Sequence, residues 1–598
     1  MLCETPCSLC LRGESEWNCV SPVNNRVCVK MPKLQNLPIL LTVALLACTL
    51  TTPAAVETVA ATTPPASPAR AATTTYYVRP DGGSPEQCTG LVDAPYPGSG
   101  TNRPCAWDHP FRALPPEGIP RISGGDTLII GAGEYKMGYG APGADNCESD
   151  YPWDCHIPPI PSGPDPAHPT RILGAGWNAG CPNPPQLWGT QRVGVILDLT
   201  DASNVEVACL EITDHSDCVE FHADPTLACE RDTYPYGDWA AVGLYAEDSA
   251  HVHLKDLNIH GLAHAGVWAG RLTDWTVEDV RIAGNGWVGW DGDLDGDDSD
   301  SGTLLFRHWR VEWNGCGETY PGGEPIGCWA QTAGGYGDGV GTGDTGGDWI
   351  IEDSAFLHNT SDGLDLLYHR LGGSITVRRT IAEGNAGDQI KITGPALVEN
   401  VIAVSNCGYF EGRPFTYDVD HCRAGGSALA LTLHPGDRIT VVNSTVIGQG
   451  DCLVIAECAE GEGCQGEERV LLCNDIFLGN PEFGGGGDTT CLAWTDLADD
   501  LFAIDHAIIN GVKNMPDPCP PGSLCDVAPQ LVNESITNFD AHLTADSPAI
   551  DAGTADGAPA DDFAGSPRDA RPDIGAYEWW EPVARVYLPF ILKSLTAL

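Results

Sequence analysis

A right-handed parallel β-helix, an all-β solenoid of stacked short-strand coils, is the fold class this sequence predicts. Three observations predict it. Glycine is abundant at 71 of 598 residues and methionine scarce at 4, which suits a turn-rich β protein better than a helical one. Short alternating segments recur, each leading to an asparagine at a fixed offset: residues 277–282 to Asn285, 306–311 to Asn314, 351–356 to Asn359, 377–382 to Asn385, 398–403 to Asn406 and 472–477 to Asn480. Just upstream, Leu254, Leu257 and Ile259 recur as Val277, Val280 and Ile282, each 23 residues later. A repeat of that length built from short strands cannot bury its apolar face alone, so successive coils stack and share one core.

Taken from the start of the chain, residues 1–30 carry five cysteines and no periodic pattern. Met31 then opens an export signal, with Lys33 as its positive n-region and the apolar run 37–47, too short to span a bilayer. Met31 is therefore the expected true start, and residues 1–48 a leader absent from the mature protein. Residues 45–48, Leu-Leu-Ala-Cys, resemble a bacterial lipobox with Cys48 as the lipidated residue; ordinary secretion is the alternative. Residues 49–74 are rich in Thr, Ala and Pro and read as a flexible tether. The β-helix is expected over 75–580. The tail 581–598 carries an apolar stretch, 586–593, too short to cross a membrane.

The chain carries 82 acidic against 31 basic residues, a net charge of −51. Such a field repels nucleic acid and anionic membranes, and repels a polyuronate too unless metal ions neutralise it locally. Nineteen cysteines follow Cys48, many in close pairs: Cys88/Cys105, Cys147/Cys155, Cys218/Cys229, Cys316/Cys328, Cys407/Cys422 and Cys519/Cys525. An exported protein keeps such pairs as disulfides, and the odd count leaves at least one thiol over. No CxxC pair follows the leader, which argues against a zinc site.

The recurring asparagines are expected to form a hydrogen-bonded ladder inside a turn, one rung per coil, with a structural role only. Longer gaps between coils mark loops at 291–301, 316–337 and 407–426, where function usually collects. Residues 76–82, Tyr-Tyr-Val-Arg-Pro-Asp-Gly, followed by Gly125-Asp126-Thr127-Leu128, resemble the opening of bacterial right-handed β-helix proteins. Residues 547–553 with 572–578 are similar to their closing segment. That resemblance implies the fold; the fold itself hosts lyases, hydrolases, epimerases and adhesins.

Using the asparagines as a ruler, Asp362 and Asp365 lie three and six residues past Asn359, and Asp388 and Lys391 three and six past Asn385. Asp362 should then stack on Asp388, and Asp365 on Lys391, about 4.8 Å apart per coil. Asp338 fits the same slot one coil earlier. Alternation turns Leu364, Leu366, Ile390 and Ile392 inward, so Asp365 and Lys391 point outward to solvent. Clustered carboxylates repel unless a cation joins them, and oxygen ligands without Cys or His favour Ca²⁺. Lysine is rare after residue 48, at Lys136, Lys255, Lys391, Lys513 and Lys593 only.

The blocks Ser361-Asp362-Gly363-Leu364-Asp365 and Asp388-Gln389-Ile390-Lys391 resemble family 9 polysaccharide lyases, which are β-helical pectate lyases. The resemblance implies Asp362 and Asp365 as calcium ligands, Asp338 as a third, and Lys391 as the base of a β-elimination on an acidic polysaccharide. Two departures stand out: Ser361 sits where that family has another Asp, and its Gly-rich block around the Lys is only partly matched. Two other readings remain: glycoside hydrolysis by paired carboxylates, although no Gly-His-Gly block or Arg-x-Lys pair is present, and a non-catalytic surface or carbohydrate-binding β-helix.

Further candidates follow from local pattern. Asp291, Asp293, Asp295 and Asp297 fit the first half of an EF-hand-type calcium loop without its closing Glu, since Gly302 stands at the twelfth position. Arg370 and His369, directly after the Asp365 strand, are candidates to hold a substrate carboxylate. Trp268, Trp287, Trp290 and Tyr336 serve either as sugar platforms or as packing. His260, His264, His358 and His369 are isolated from one another in the repeat and read as turn or surface residues. The whole points to a secreted or surface-held bacterial protein, a monomer, with a glycan as partner and Ca²⁺ as its ion.

Overall fold

The structure is a computed structural model, and it describes residues 73–581 apart from 223, 329–336, 407–409, 411–425, 449–451, 460, 480–489 and 536–537. The leader, Cys48, the tether up to residue 72, the tail beyond 581, Tyr336, Asn480 and the Cys407/Cys422 pair lie outside the described residues, as does the side chain of Asp295. No helix among the described residues is long and apolar enough to cross a membrane.

The chain winds as a right-handed parallel β-helix with three strands per coil. In one turn Leu364–Leu366 forms the first face, His369–Arg378 the second and Ile381–Glu383 the third; the next turn repeats them as Ile390–Thr393, Ala396–Glu399 and Ile402–Ser405. Each strand pairs in parallel with its counterpart one coil on: Leu364 with Ile390, Val377 with Val398, Ile381 with Ile402. The predicted 23-residue repeat is the physical register, since Leu254, Leu257 and Ile259 pair with Val277, Val280 and Ile282. One inward line on the second face runs Val277, Phe306, Ile351, Val377, Val398, Val441, Leu472, all buried. Two positions past each of these, the chain bends into the third face through a left-handed residue: Asp279, His308, Asp353, Arg379, Asn400, Asn443 and Asn474, with φ between 45° and 58°. Five of the seven are Asp or Asn, for which that conformation costs least.

Inside the solenoid, aliphatic ladders give way mid-length to an aromatic core. Phe306 stacks on Trp309 and Trp349 at 4.4 and 5.1 Å between ring centres, and Trp290 meets Phe306 and Trp309 edge-on. Trp290 is therefore core, not a sugar platform.

The solenoid's last described strand is Leu524–Cys525, earlier than the expected boundary at 580. Residues 529–580 instead fold back along the third face. They cover Ile402, Val404, Ile447, Ile476 and Leu478, which point away from the internal core, with Ala549, Ile574 and Ala576. This explains why strands such as Ile402–Ser405 and Ile476–Gly479 are buried on both sides. Buried Arg568 fastens the return segment, donating to Glu578 Oε2 at 3.1 Å, Asn400 Oδ1 at 2.7 Å and the carbonyls of Gly575 and Ala576.

Of the paired cysteines, Cys88–Cys105, Cys147–Cys155, Cys218–Cys229, Cys316–Cys328 and Cys519–Cys525 are disulfides. Three further bridges join Cys181–Cys209, Cys452–Cys491 and Cys458–Cys464; Cys473 is a buried free thiol.

Candidate functional site

The site begins in the turn that links the third face to the first. Asn314, Asn359 and Asn385 line the inside of this turn as the predicted ladder. Asn314 Nδ2 donates to Asn359 Oδ1 at 2.9 Å, and Asn359 Nδ2 to Asn385 Oδ1 at 2.8 Å. Gln389 closes the ladder by accepting from Asn385.

Three residues on, aspartates build a second ladder. The backbone N–H of Asp362 donates to Asp338 Oδ1 at 2.9 Å, that of Asp388 to Asp362 Oδ1 at 2.8 Å, and that of Ser427 to Asp388 Oδ1 at 2.8 Å. Asp365 follows the same rule within its own coil, its Oδ1 accepting from Leu367 N–H at 2.9 Å. Each carboxylate thus has Oδ1 held by a rigid backbone amide, which fixes its orientation. Asp338, Asp362 and Asp365 each offer an oxygen within 4.8 Å of the others. Oxygen donors alone, held by a sheet and spaced like this, fit a hard divalent cation such as Ca²⁺.

Lys391 lies one coil beyond Asp365 in direct register, as the asparagine ruler predicts. Its ammonium donates to Asp365 Oδ2 at 2.8 Å and Asp362 Oδ2 at 3.0 Å. Both side chains point outward, but neither is bathed in solvent: Asp365 is 14 % exposed and Lys391 21 %. Burial alone would lower the lysine pKa, yet Asp365, Asp362 and Asp388 together hold it well above the ordinary lysine range. Burial raises Asp365, against the pull of Lys391, and lifts Asp388 to about 7 with help from Asp362.

The register extends this site into a line along the first face. Tyr245, Trp268, Asp291, Gly341, Asp365, Lys391, Ala430, Ile455 and Trp494 are successive outward neighbours. Trp268 and Trp494 each stand three coils from the Asp365–Lys391 pair, roughly 14 Å at about 4.8 Å per coil. Gly341 leaves a gap beside Asp365, where a Cβ would come within 3.1 Å of Asp338 Oδ2.

Other predicted residues fare differently. Arg370 is half-exposed and paired to Asp344 at 2.5 Å. His369 does not face a substrate: it is buried, with Nε2 on the carbonyl of Gly347 at 2.7 Å, because the chain turns inward as it enters the second face. The segment 291–301 is not a loop at its start. Val288–Asp297 is a strand that pairs with the next coil at Trp290–Gly292 and again at Asp297, with the register shifting in between, so Asp291 and Asp297 lie in the ladder and Asp293 in the irregular stretch between them. Their Oδ1 atoms cap local turns in two cases, Asp291 to Asp293 N–H and Asp293 to Gly296 N–H. Among the described residues the only other chelate-sized cluster is Cys458, Cys464 and Asp496, whose sulfurs are spent in a disulfide.

Pattern reasoning missed a pocket of about 270 Å³ on the third face, lined by Glu134, Gln186, Glu211, Asp214, His260 and Glu318 among others. His260 is not a plain surface residue. Its imidazole is gripped by Glu318 through Nδ1 and Glu211 through Nε2, each at 3.0 Å. Burial opposes its charge, but the two glutamates prevail and hold its pKa at about 9. Beside it His215 is sandwiched between Trp188 and Tyr320 at 4.0 and 4.1 Å. The partners lie 49 and 58 residues from His260, and Glu318 arrives on the disulfide-closed loop 316–328, so no local motif announces the group.

No family model matches the chain, and no curated protein matches it either. Solved structures do. The chain is similar to pectate lyase Pel9A at 14% identity and a TM-score of 0.40, over 85% of this chain and 97% of that one. It is similar to a rhamnogalacturonan lyase at 11% identity and a TM-score of 0.33, over 79% and 95%. It is also similar to PfbA, a surface adhesin of Streptococcus pneumoniae, at 10% identity and a TM-score of 0.26, over 64% and 86%. The fold assignment rests on the strand register itself.

Proposed function

We propose that this protein is an exported, carbohydrate-active β-helix enzyme that cleaves an acidic polysaccharide by calcium-assisted β-elimination. One observation carries the reading: three aspartate oxygens gathered within 4.8 Å, with a scarce lysine in the next coil of the same outward line. The eight disulfides among the described residues suit an oxidising, extracytoplasmic setting.

Calcium, when bound, supplies the positive charge that holds a uronate carboxylate and acidifies the proton on the adjacent carbon. Asp338, Asp362 and Asp365 are the residues to hold it, since backbone amides already fix their orientation. Lys391, in its neutral form, takes the proton from C5. The C–H pair becomes the C4–C5 double bond, and the C4–O bond breaks, with the departing oxygen protonated by water. A lysine locked between Asp362 and Asp365 stays protonated; charge neutralisation of those two carboxylates is what releases it to act as a base. Arg370 is placed to meet a neighbouring carboxylate, and Trp268 and Trp494 to stack on sugar rings along the line.

The test is absorbance of the unsaturated uronate product in the near ultraviolet, with a polyuronate panel plus calcium or plus chelator. A calcium-dependent rise, abolished in Lys391→Ala, is the expected result. New reducing ends without absorbance would instead indicate hydrolysis by the aspartates. No change in either would leave a glycan-binding surface protein.

A further inference from the structure

The acidic run that follows Val288 carries a second feature, at its far end. Asp298 and Asp300 lie where the first face turns into the second, and they are 1% and 4% exposed. Asp300 Oδ1 accepts from Leu272 N–H in the preceding coil at 2.6 Å. Its Oδ2 makes no hydrogen bond, and neither oxygen of Asp298 makes one. Two hydroxyls of the following coil, Thr342 Oγ1 and Thr345 Oγ1, are equally buried and equally without a bond. Five unsatisfied oxygens from one neighbourhood are hard to reconcile with a finished interior, because each buried polar atom left unpaired costs about 1–3 kcal/mol.

Among the described residues no Lys, Arg or His forms an ion pair with Asp298 or Asp300, and Asp291 and Asp297 add further negative charge to the surroundings. Two like charges sealed together repel strongly unless a cation or a shared proton joins them. Thr345 lies close enough to act on both carboxylates, and the two carboxylates on each other, although none of these contacts closes as a well-formed hydrogen bond. Glycine lets the Asp298 carboxylate pack against the backbone: a Cβ on Gly270 of the preceding coil would meet Asp298 Oδ1 at 2.6 Å, and one on Gly292 of its own coil would meet Oδ2 at 2.8 Å.

We propose that Asp298, Asp300, Thr342 and Thr345 form a buried structural site for a hard divalent cation of the calcium class, tying the coil that carries Asp298 to the next. The donors are carboxylate and hydroxyl oxygens with no nitrogen or sulfur, the set that prefers calcium over transition metals. This site is separate from the Asp338–Asp365 group and does not depend on the catalytic reading. Its cation would neutralise two like charges at a corner of the helix and bind their segment to the following coil.

The experiment counts calcium on the whole mature chain, in an Asp365→Asn background so that the outer site does not contribute. Metal-stripped protein is titrated with calcium by calorimetry, and its thermal midpoint is read with calcium and with chelator. One remaining equivalent and a calcium-dependent rise in midpoint are expected. Adding Asp298→Asn and Asp300→Asn should remove that equivalent and the rise. Should that variant fold poorly, Thr345→Val serves: it keeps both carboxylates and should weaken calcium binding at least tenfold while leaving the midpoint in chelator nearly unchanged. Absence of any calcium equivalent in the Asp365→Asn protein would overturn the proposal, in favour of two carboxyls sharing a proton. So would unchanged affinity and stoichiometry in both variants. Loss of lyase activity alone bears only on the outer site.

Discussion

At the scale of single residues, Lys391 and His260 make opposite use of the same device, a cation gripped by two carboxylates. Lys391 is poised over oriented aspartates on an open face, and replacing it removes the only basic group hydrogen-bonded to Asp362 and Asp365 in the described residues. Lys391→Ala should lower elimination by about 10²–10⁴-fold, the usual worth of a positioned acid–base group, with calcium affinity unchanged or raised. Turnover and calcium titration on the same preparation check both halves. His260 is mostly buried, and its charge serves stability. Its folded pKa of about 9 lies above the ordinary 6.5, so its stabilisation is fully present below pH 6.5 and fades as pH rises through 9. At about 1.4 kcal/mol per unit the effect is on the order of 3–4 kcal/mol. Denaturant midpoints of wild type and His260→Gln should therefore differ most near pH 6 and converge above pH 9. A constant gap across that range would show that packing, not charge, is what His260 contributes.

At the scale of elements, the turn between the third and first faces does the positioning. Its asparagine ladder fixes the coil register from inside, and the aspartates three residues on inherit that register. Asn359 accepts from Asn314 and donates to Asn385 and to the Val311 carbonyl, so Asn359→Ala strands partners on both sides. A loss of about 2–4 kcal/mol is expected in urea unfolding, with elimination reduced too because Asp338 and Asp362 lose their common frame. This same ladder is why so much was legible in sequence: an Asn column is local, repeated and period-locked, so Asp362, Asp365, Asp388 and Lys391 could be placed by counting, while Asp338, behind the loop 316–337, is placed by the glycine-flanked pattern it shares with Asp362. Where the marker is missing the reading failed. Residue 449 is Gln where the ruler wants Asn, so the Val441 coil went unmarked although it stands in the ladder of strands. The run after Val288 reads as a calcium loop from its composition, but it is also a strand whose pairing with the next coil breaks only between Gly292 and Asp297, which composition does not reveal. Groups assembled from residues far apart in sequence, such as Glu211, His260 and Glu318, leave no trace in any window of sequence.

At the scale of the whole molecule, a solenoid held only by nearest-neighbour coils would fray from its ends. The return segment 529–580 opposes this by bridging several coils at once. It reaches Asn400 through Arg568, Asn443 through the Asp573 carbonyl and Asn474 through the Thr554 carbonyl, and these three asparagines occupy successive bends. Its apolar side seals Ile402, Ile447 and Ile476, which no internal core reaches. Arg568 is the fastening point, with its ion pair to Glu578 2% exposed on both sides. Removing one partner of such a pair leaves a buried charge alone, at about 3–5 kcal/mol. Arg568→Met should therefore detach the return segment before the solenoid unfolds. Limited proteolysis would then cut first within 529–580 and leave a core spanning Lys391, and the elimination reaction should survive that cut. If the variant instead lost the reaction and its resistance to protease throughout in one step, the return segment would be part of a single cooperative unit with the Asp338–Lys391 coils.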